Sequence, residues 1–253
     1  MKFGLETYSG DGKVTYDADV IHYTLHEEMN INLRPFDYSP EYKGFHSIIK
    51  LDVPVPIDTT PLIAVRLPES DTSGWLDVFG VQEAVLIRQG SLYTHFRVRW
   101  IATIGFDVMR FVFRIYCKST NSGGGGLQLN GRHNSVISAD SHYPLVARSF
   151  SGRTKPLTNR NMPYGIRDGY MWLVDETYDV PDDSFYVCNM QYIALGNSQI
   201  NGIIVRGTTS VVKFNGEFRA VFTMYLSADF GGILTGGDYV YLTPTYFIRH
   251  AAA

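Results

Sequence analysis

The stretch that most constrains this chain is Leu92–Lys118, LYTHFRVRWIATIGFDVMRFVFRIYCK. From Leu92 to Trp100 every second residue is Leu, Thr, Phe, Val or Trp, and Tyr93, His95, Arg97 and Arg99 lie between them. From Met109 to Cys117 the same rhythm gives Met, Phe, Phe, Ile and Cys, with Arg110 and Arg114 alternating against them. Successive side chains of a strand point to opposite faces of a sheet, so each run has one core face and one polar face. A short joining segment with Gly105 and Asp107 predicts an antiparallel hairpin with its Arg and Tyr residues on one surface.

The rest of the chain has the same character. Residues 3–17 read as a hairpin about the turn Ser9-Gly10-Asp11-Gly12, where glycine accepts the backbone angles of a tight turn. Residues 19–33 fit helix or strand equally well. Ser47–Val53 and Leu62–Leu67 read as strands, and Pro54, Pro56 and Pro61 between them demand an edge or a crossing connection. Val78–Arg88 reads as a strand with a bulge near Gln82. Further strands are expected over 136–149, 170–174, 185–195, 201–207, 210–214, 218–226 and 239–248, separated by Gly, Asn and Asp turns. Short strands at this cadence, with little helix, predict an all-β, sandwich or jelly-roll-like fold.

The Gly-rich run 119–131, STNSGGGGLQLNG, reads as a linker or a long loop. It suggests two packed β units, an N-terminal one over 1–118 and a C-terminal one over 132–253. A single large β domain is the alternative, and 253 residues suffice for either.

A formal net charge of −3 argues against general nucleic-acid binding. Two cysteines are too few for a disulfide framework, and Cys117 falls on an apolar face, so a buried free thiol is expected. The opening MKFGLETYSGDG lacks the apolar core of a secretory signal, and no apolar run is long enough for a membrane span, so neither is expected.

Motifs for chemistry are weak. His22 and His26 share a face at helical spacing, but on a strand they stand roughly 13 Å apart, too far to share a metal ion. Asp140-Ser141-His142 are sequence neighbours, whereas a catalytic triad converges from separate segments. Gly123–Gly126 lacks the Lys-Ser/Thr ending of a phosphate loop. Asp175-Glu176 and Asp182-Asp183 sit in turn-like surroundings, where acidic side chains satisfy backbone amides. No catalytic residue, metal or cofactor is assigned, and the chain is read as non-enzymatic. The polar face of the central stretch carries Tyr93, Arg97, Arg99, Arg110, Arg114 and Tyr116. An intersubunit surface is preferred for it over plain solvent exposure, since Arg and Tyr are enriched at interface centres. Trp75, in a Ser-Gly-Trp loop, is the candidate for ligand contact.

Lys2–Asp17, KFGLETYSGDGKVTYD, resembles the opening of a family of small virion proteins of tailed bacteriophages. Those begin with a short apolar start, Gly-Leu-Glu, an aromatic residue, a Gly/Asp turn and a strand ending near Tyr-Asp. The resemblance implies a minor tail or tail-tip protein that folds in the host cytoplasm and assembles into the virion, with the 1–118 unit docking and the 132–253 unit exposed or intersubunit. It implies other tail proteins as partners, a homo-oligomer, and contact with a host surface glycan or receptor. It transfers no catalytic residue. A receptor- or carbohydrate-binding module is the alternative, and a glycan-cleaving tail enzyme the third reading.

Overall fold

The computed structural model describes residues 6–8, 14–17, 23–33, 38–39, 44–70, 79–102, 109–118, 127–130, 136–139, 144–157, 164–166, 169–188, 195–200, 203–225 and 238–250. Among them the only helical turn is the 3-10 turn Ile57–Thr59. The first strands are β1 (Glu6–Tyr8), β2 (Val14–Asp17), β3 (Tyr23–Leu33), β4 (Tyr38–Ser39) and β5 (Gly44–Pro56). Next come β6 (Leu62–Arg66), β7 (Glu69–Ser70), β8 (Phe79–Gln89), β9 (Leu92–Ala102) and β10 (Met109–Lys118). They are followed by β11 (Leu127–Asn130), β12 (Val136–Ala139), β13 (Pro144–Phe150), β14 (Arg153–Leu157), β15 (Tyr164–Ile166) and β16 (Gly169–Tyr178). The last are β17 (Phe185–Val187), β18 (Leu195–Ile200), β19 (Ile203–Phe214), β20 (Glu217–Tyr225), β21 (Asp238–Leu242) and β22 (Thr245–His250).

Two sheets form a β-sandwich. One is six-stranded, in the order β13-β22-β17-β6-β10-β3, and the other is ten-stranded, in the order β15-β16-β20-β19-β8-β9-β5-β4 with β18 and β7 also pairing to β19. Smaller two-stranded units are β1-β2, β11-β12 and β14-β21. Of the N-terminal hairpin expected over residues 3–17, the described strands β1 and β2 pair antiparallel, and the turn Ser9-Gly10-Asp11-Gly12 lies outside the described residues. Residues 19–33, ambiguous in sequence, supply the eleven-residue strand β3. Its pairing with β10 settles the choice, because β10 presents an alternating apolar face that only a strand of the same period can extend.

The hairpin expected over Leu92–Lys118 is not formed. β9 lies in the ten-stranded sheet between β8 and β5, and β10 lies in the six-stranded sheet between β6 and β3. The two strands face each other across the sandwich, with the Phe96 and Phe113 rings 5.3 Å apart. Both arrangements bury the same alternating apolar residues, so periodicity cannot distinguish them.

The main core lies between the sheets and draws on both, including Phe96, Val98 and Trp100 from β9 and Phe111, Phe113 and Ile115 from β10. Phe247 of β22 is its aromatic hub, with ring centroids 5.5 Å from Tyr178 and 5.1 Å from Phe218. A second buried cluster of Ala64, Tyr116, Phe185, Val187 and Ile248 sits apart, on the other face of the six-stranded sheet. The end strands of that sheet, β13 and β3, have Cα atoms within 8 Å of each other, so the sheet is strongly curled.

Strands on either side of residues 119–131 are hydrogen bonded to one another in both sheets, through β17–β6 and β19–β8. The Gly-rich stretch is therefore not a boundary between sheets or between cores. Its distal part, Leu127–Asn130, is itself a strand paired with β12. The proline-rich segment behaves as its chemistry demands. β5 leaves register with β9 between Lys50 and Val55, where Pro54 has no amide to donate. The expected bulge at Gln82 is also present, between the pairs Val81–Trp100 and Glu83–Arg99.

Candidate interaction surface

The outward parity of β8, β9 and β5 builds one continuous face. Ile48, Arg97 and Val85 form a row across the three strands, since Arg97 is the register partner of both aliphatics. His46, Arg99 and Glu83 form the next row, and Lys50, His95 and Ile87 the row on the other side. At ordinary sheet spacings these rows cover roughly 10 Å across the strands and about 14 Å along them. Ile48 is 68% exposed and Val85 41%, while the inward residues on either side of Arg97, Phe96 and Val98, are fully buried. The Arg97 side chain is 34% exposed and its guanidinium lies 3.7 Å from the Glu83 carboxylate. Lys50 is exposed, and Arg99, His46 and His95 are half-buried. The face thus combines two open aliphatic side chains with an arginine in register between them, and its cations outnumber its carboxylates.

The sequence-derived candidates divide between two faces. Arg97 and Arg99 belong to the surface just described. Tyr93 stands beyond a bulge between Ile87 and Arg88 and packs, half-buried, against the main core. Arg110, Arg114 and Tyr116 belong to β10 and point away from the sandwich interior on the other sheet. Arg110 donates through Nε and Nη2 to Asn30 Oδ1, at 3.2 and 2.8 Å. Arg114 donates to Glu28 Oε2 at 2.6 Å and lies over the Phe185 ring at 4.1 Å. Tyr116 is fully buried in the second cluster, so it does not belong to an exposed contact face. Burial raises its phenol above the usual range, with the neighbouring Arg114 pulling the other way. The single Arg/Tyr surface expected from sequence is therefore replaced by two surfaces on different sheets. Trp75 lies outside the described residues.

Other sequence candidates have structural partners. The ring Nε2 of His26 is 3.0 Å from the carbonyl of Val53, and His22 lies outside the described residues. Among the described residues no three His, Cys, Asp or Glu side chains gather at metal-binding distance. Glu176 takes ion pairs from Arg153 and from Lys155, the latter at 2.5 Å. Asp182 is 3.8 Å from Lys213 Nζ. Cys117 and Cys188 are both buried free thiols.

No family model, curated protein or solved structure matches the chain.

Ile48, Val85 and Glu83 were not singled out by motif or composition, yet a signal for them exists. Ile48-Ile49 and Val85-Leu86-Ile87 are runs of adjacent aliphatics. In a strand of period two such neighbours cannot all face one core. One parity then faces away from the core between the sheets, where it is either covered, as Val212 and Val221 are, or left open, as Ile48 and Val85 are.

Proposed function

We propose that this chain is a structural, non-enzymatic component of a bacteriophage tail, a minor tail or tail-tip protein. In this reading it assembles through the β8-β9-β5 face, against further copies of itself and its neighbours in the particle. The observation that carries the assembly role is the row Ile48–Arg97–Val85, an arginine between two exposed aliphatics on a rigid sheet. Interface centres favour this composition, because a planar guanidinium can stack and hydrogen bond while the aliphatics beside it exclude water. The bacteriophage assignment is supported by the resemblance of Lys2–Asp17. The patch is smaller than the ~800 Å² per partner of a standard interface, so it is the centre of a contact whose rim includes neighbouring surface.

The test is self-association measured by sedimentation across a concentration series. Arg97→Glu sets a like charge beside Glu83 and at the centre of the contact, and should weaken association by about 30-fold or more, as loss of a hot spot of about 2 kcal/mol does. Arg110→Ala, on the other sheet, should leave association unchanged. A wild-type chain that stays monomeric at high concentration, or an R97E chain that associates normally, overturns the contact. The tail assignment is tested separately by genomic position: tail-assembly genes are expected on either side, and a cellular metabolic operon would exclude it.

A further inference from the structure

We propose that Asn215–Gly216 is a deamidation site held closed by the carboxylate of Glu69. The pair is the two-residue loop between β19 and β20, because Phe214 and Glu217 are register partners. Both loop residues have positive φ, 52° at Asn215 and 77° at Gly216, the pattern of a type I′ hairpin turn. Both are exposed. Asparagine followed by glycine is chemically labile, since no side chain shields the glycine nitrogen from the asparagine amide carbon. In the reaction the Gly216 nitrogen loses its proton and bonds to Asn215 Cγ. The Cγ–Nδ2 bond breaks and ammonia leaves with a proton, closing a cyclic imide. Water then opens the ring at either carbonyl, leaving aspartate or isoaspartate, with no change of oxidation state.

The fold blocks the first step. Gly216 N donates its proton to Glu69 Oε1 at 2.5 Å. Attack needs that proton removed and the nitrogen turned toward Asn215, and the carboxylate opposes both, by accepting the hydrogen bond and by repelling the amide anion. Glu69 is held in place rather than merely nearby. β7 runs parallel to β19 with Glu69 in register with Lys213, whose Nζ is 3.4 Å from Glu69 Oε2. The same ammonium lies 5.7 Å from the centre of the Phe218 ring. One carboxylate oxygen thus serves the amide and the other the lysine. Nothing in the local sequence of the turn reports this, because residues 69 and 216 are 147 positions apart. Conversion of Asn215 would place a new carboxylate in the turn beside Glu69, close to the Asp182–Lys213 pair.

The chain carries its own references, since Asn130–Gly131 and Asn201–Gly202 are the other Asn-Gly pairs. The full-length protein is incubated at mildly alkaline pH, native and in urea, and each Asn-Gly peptide is followed by mass spectrometry. Asn215 should convert at least about ten-fold more slowly in the native chain than in urea, the rate equivalent of a weak charge-assisted hydrogen bond. Glu69→Ala should remove most of that protection at Asn215 and leave Asn130 and Asn201 unchanged. Lys213→Met, which frees the carboxylate without removing it, should fall between. Equal native and urea rates at Asn215 overturn the proposal, as does a folded E69A chain whose Asn215 is no faster. If E69A unfolds, as circular dichroism would show, K213M decides: a rise confined to Asn215 supports the proposal, and no rise rejects it.

Discussion

At the scale of single residues, burial rather than motif sets the chemistry of this chain. Desolvation pushes the Cys117 thiol from 9.0 up to about 11, against a hydrogen bond from Thr59 that pulls it down, and it raises Cys188 as well. A thiol that holds its proton more tightly when folded stabilises the native state below pH 9. That contribution is lost as pH rises from 9 towards 11, because in this window the unfolded chain has released a proton that the native chain keeps. Urea titrations should therefore show stability falling across the window, by on the order of 3 kcal/mol from Cys117. Cys117→Ala should flatten the fall without abolishing it, since buried Tyr116 and Tyr178 are shifted in the same direction. A wild-type chain equally stable at both ends of the window would contradict this. Gly80 shows the opposite kind of constraint, purely steric: an added Cβ would lie 2.9 Å from both the Val211 carbonyl oxygen and Val212 Cγ1, so β8 and β19 can approach there only with glycine.

At the scale of the element, β5 is an irregular strand that is repaired from outside its own sheet. Where it leaves β9, between Lys50 and Val55, its backbone groups lose their ladder partners. β3, at the edge of the opposite sheet, supplies replacements: Glu27 Oε1 accepts from the Asp52 amide at 3.0 Å, and His26 Nε2 lies 3.0 Å from the Val53 carbonyl. β3 itself bulges opposite Ile115–Tyr116, with His26 as its extra residue, and this turns His26 and Glu27 toward β5. Glu27→Ala should cost about 1 kcal/mol. Hydrogen exchange should quicken at the Asp52 amide but not at paired amides of β9; unchanged exchange at Asp52 would show that the contact does not hold the strand.

At the scale of the whole molecule, strands from both halves of the chain share both sheets and the core between them. The described strands should therefore unfold as one cooperative unit. Phe113→Ala removes a ring that meets Phe96 from the other sheet, at 5.3 Å, and Phe111 at 6.2 Å. It should destabilise the chain by about 3–5 kcal/mol and move a single calorimetric transition. Two transitions, only one of them shifted, would mean that the halves fold separately. The same arrangement explains why the β8-β9-β5 face is available for contact. The sandwich consumes the inward parity of these strands, while the β19–β20 part of the sheet buries its outward Val212 and Val221 as well. Ile48 and Val85 are left open.

Local sequence alone determined that this is a β chain, where most of its strands lie, where β8 bulges, where proline interrupts β5, and that Cys117 is a buried thiol. Each follows from side-chain parity or backbone chemistry within a few residues. Residues 23–33 were not legible because helix and strand both satisfy their spacing until β10 is beside them. Nor could parity say that β9 and β10 belong to different sheets, since a hairpin and a pair facing across a sandwich bury the same side chains. That choice depends on which strands find hydrogen-bond partners far along the chain. It alone decided that Arg97 stands between Ile48 and Val85, that Arg114 is tied to Glu28, that Tyr116 is buried, and that Glu69 reaches the turn at Asn215–Gly216.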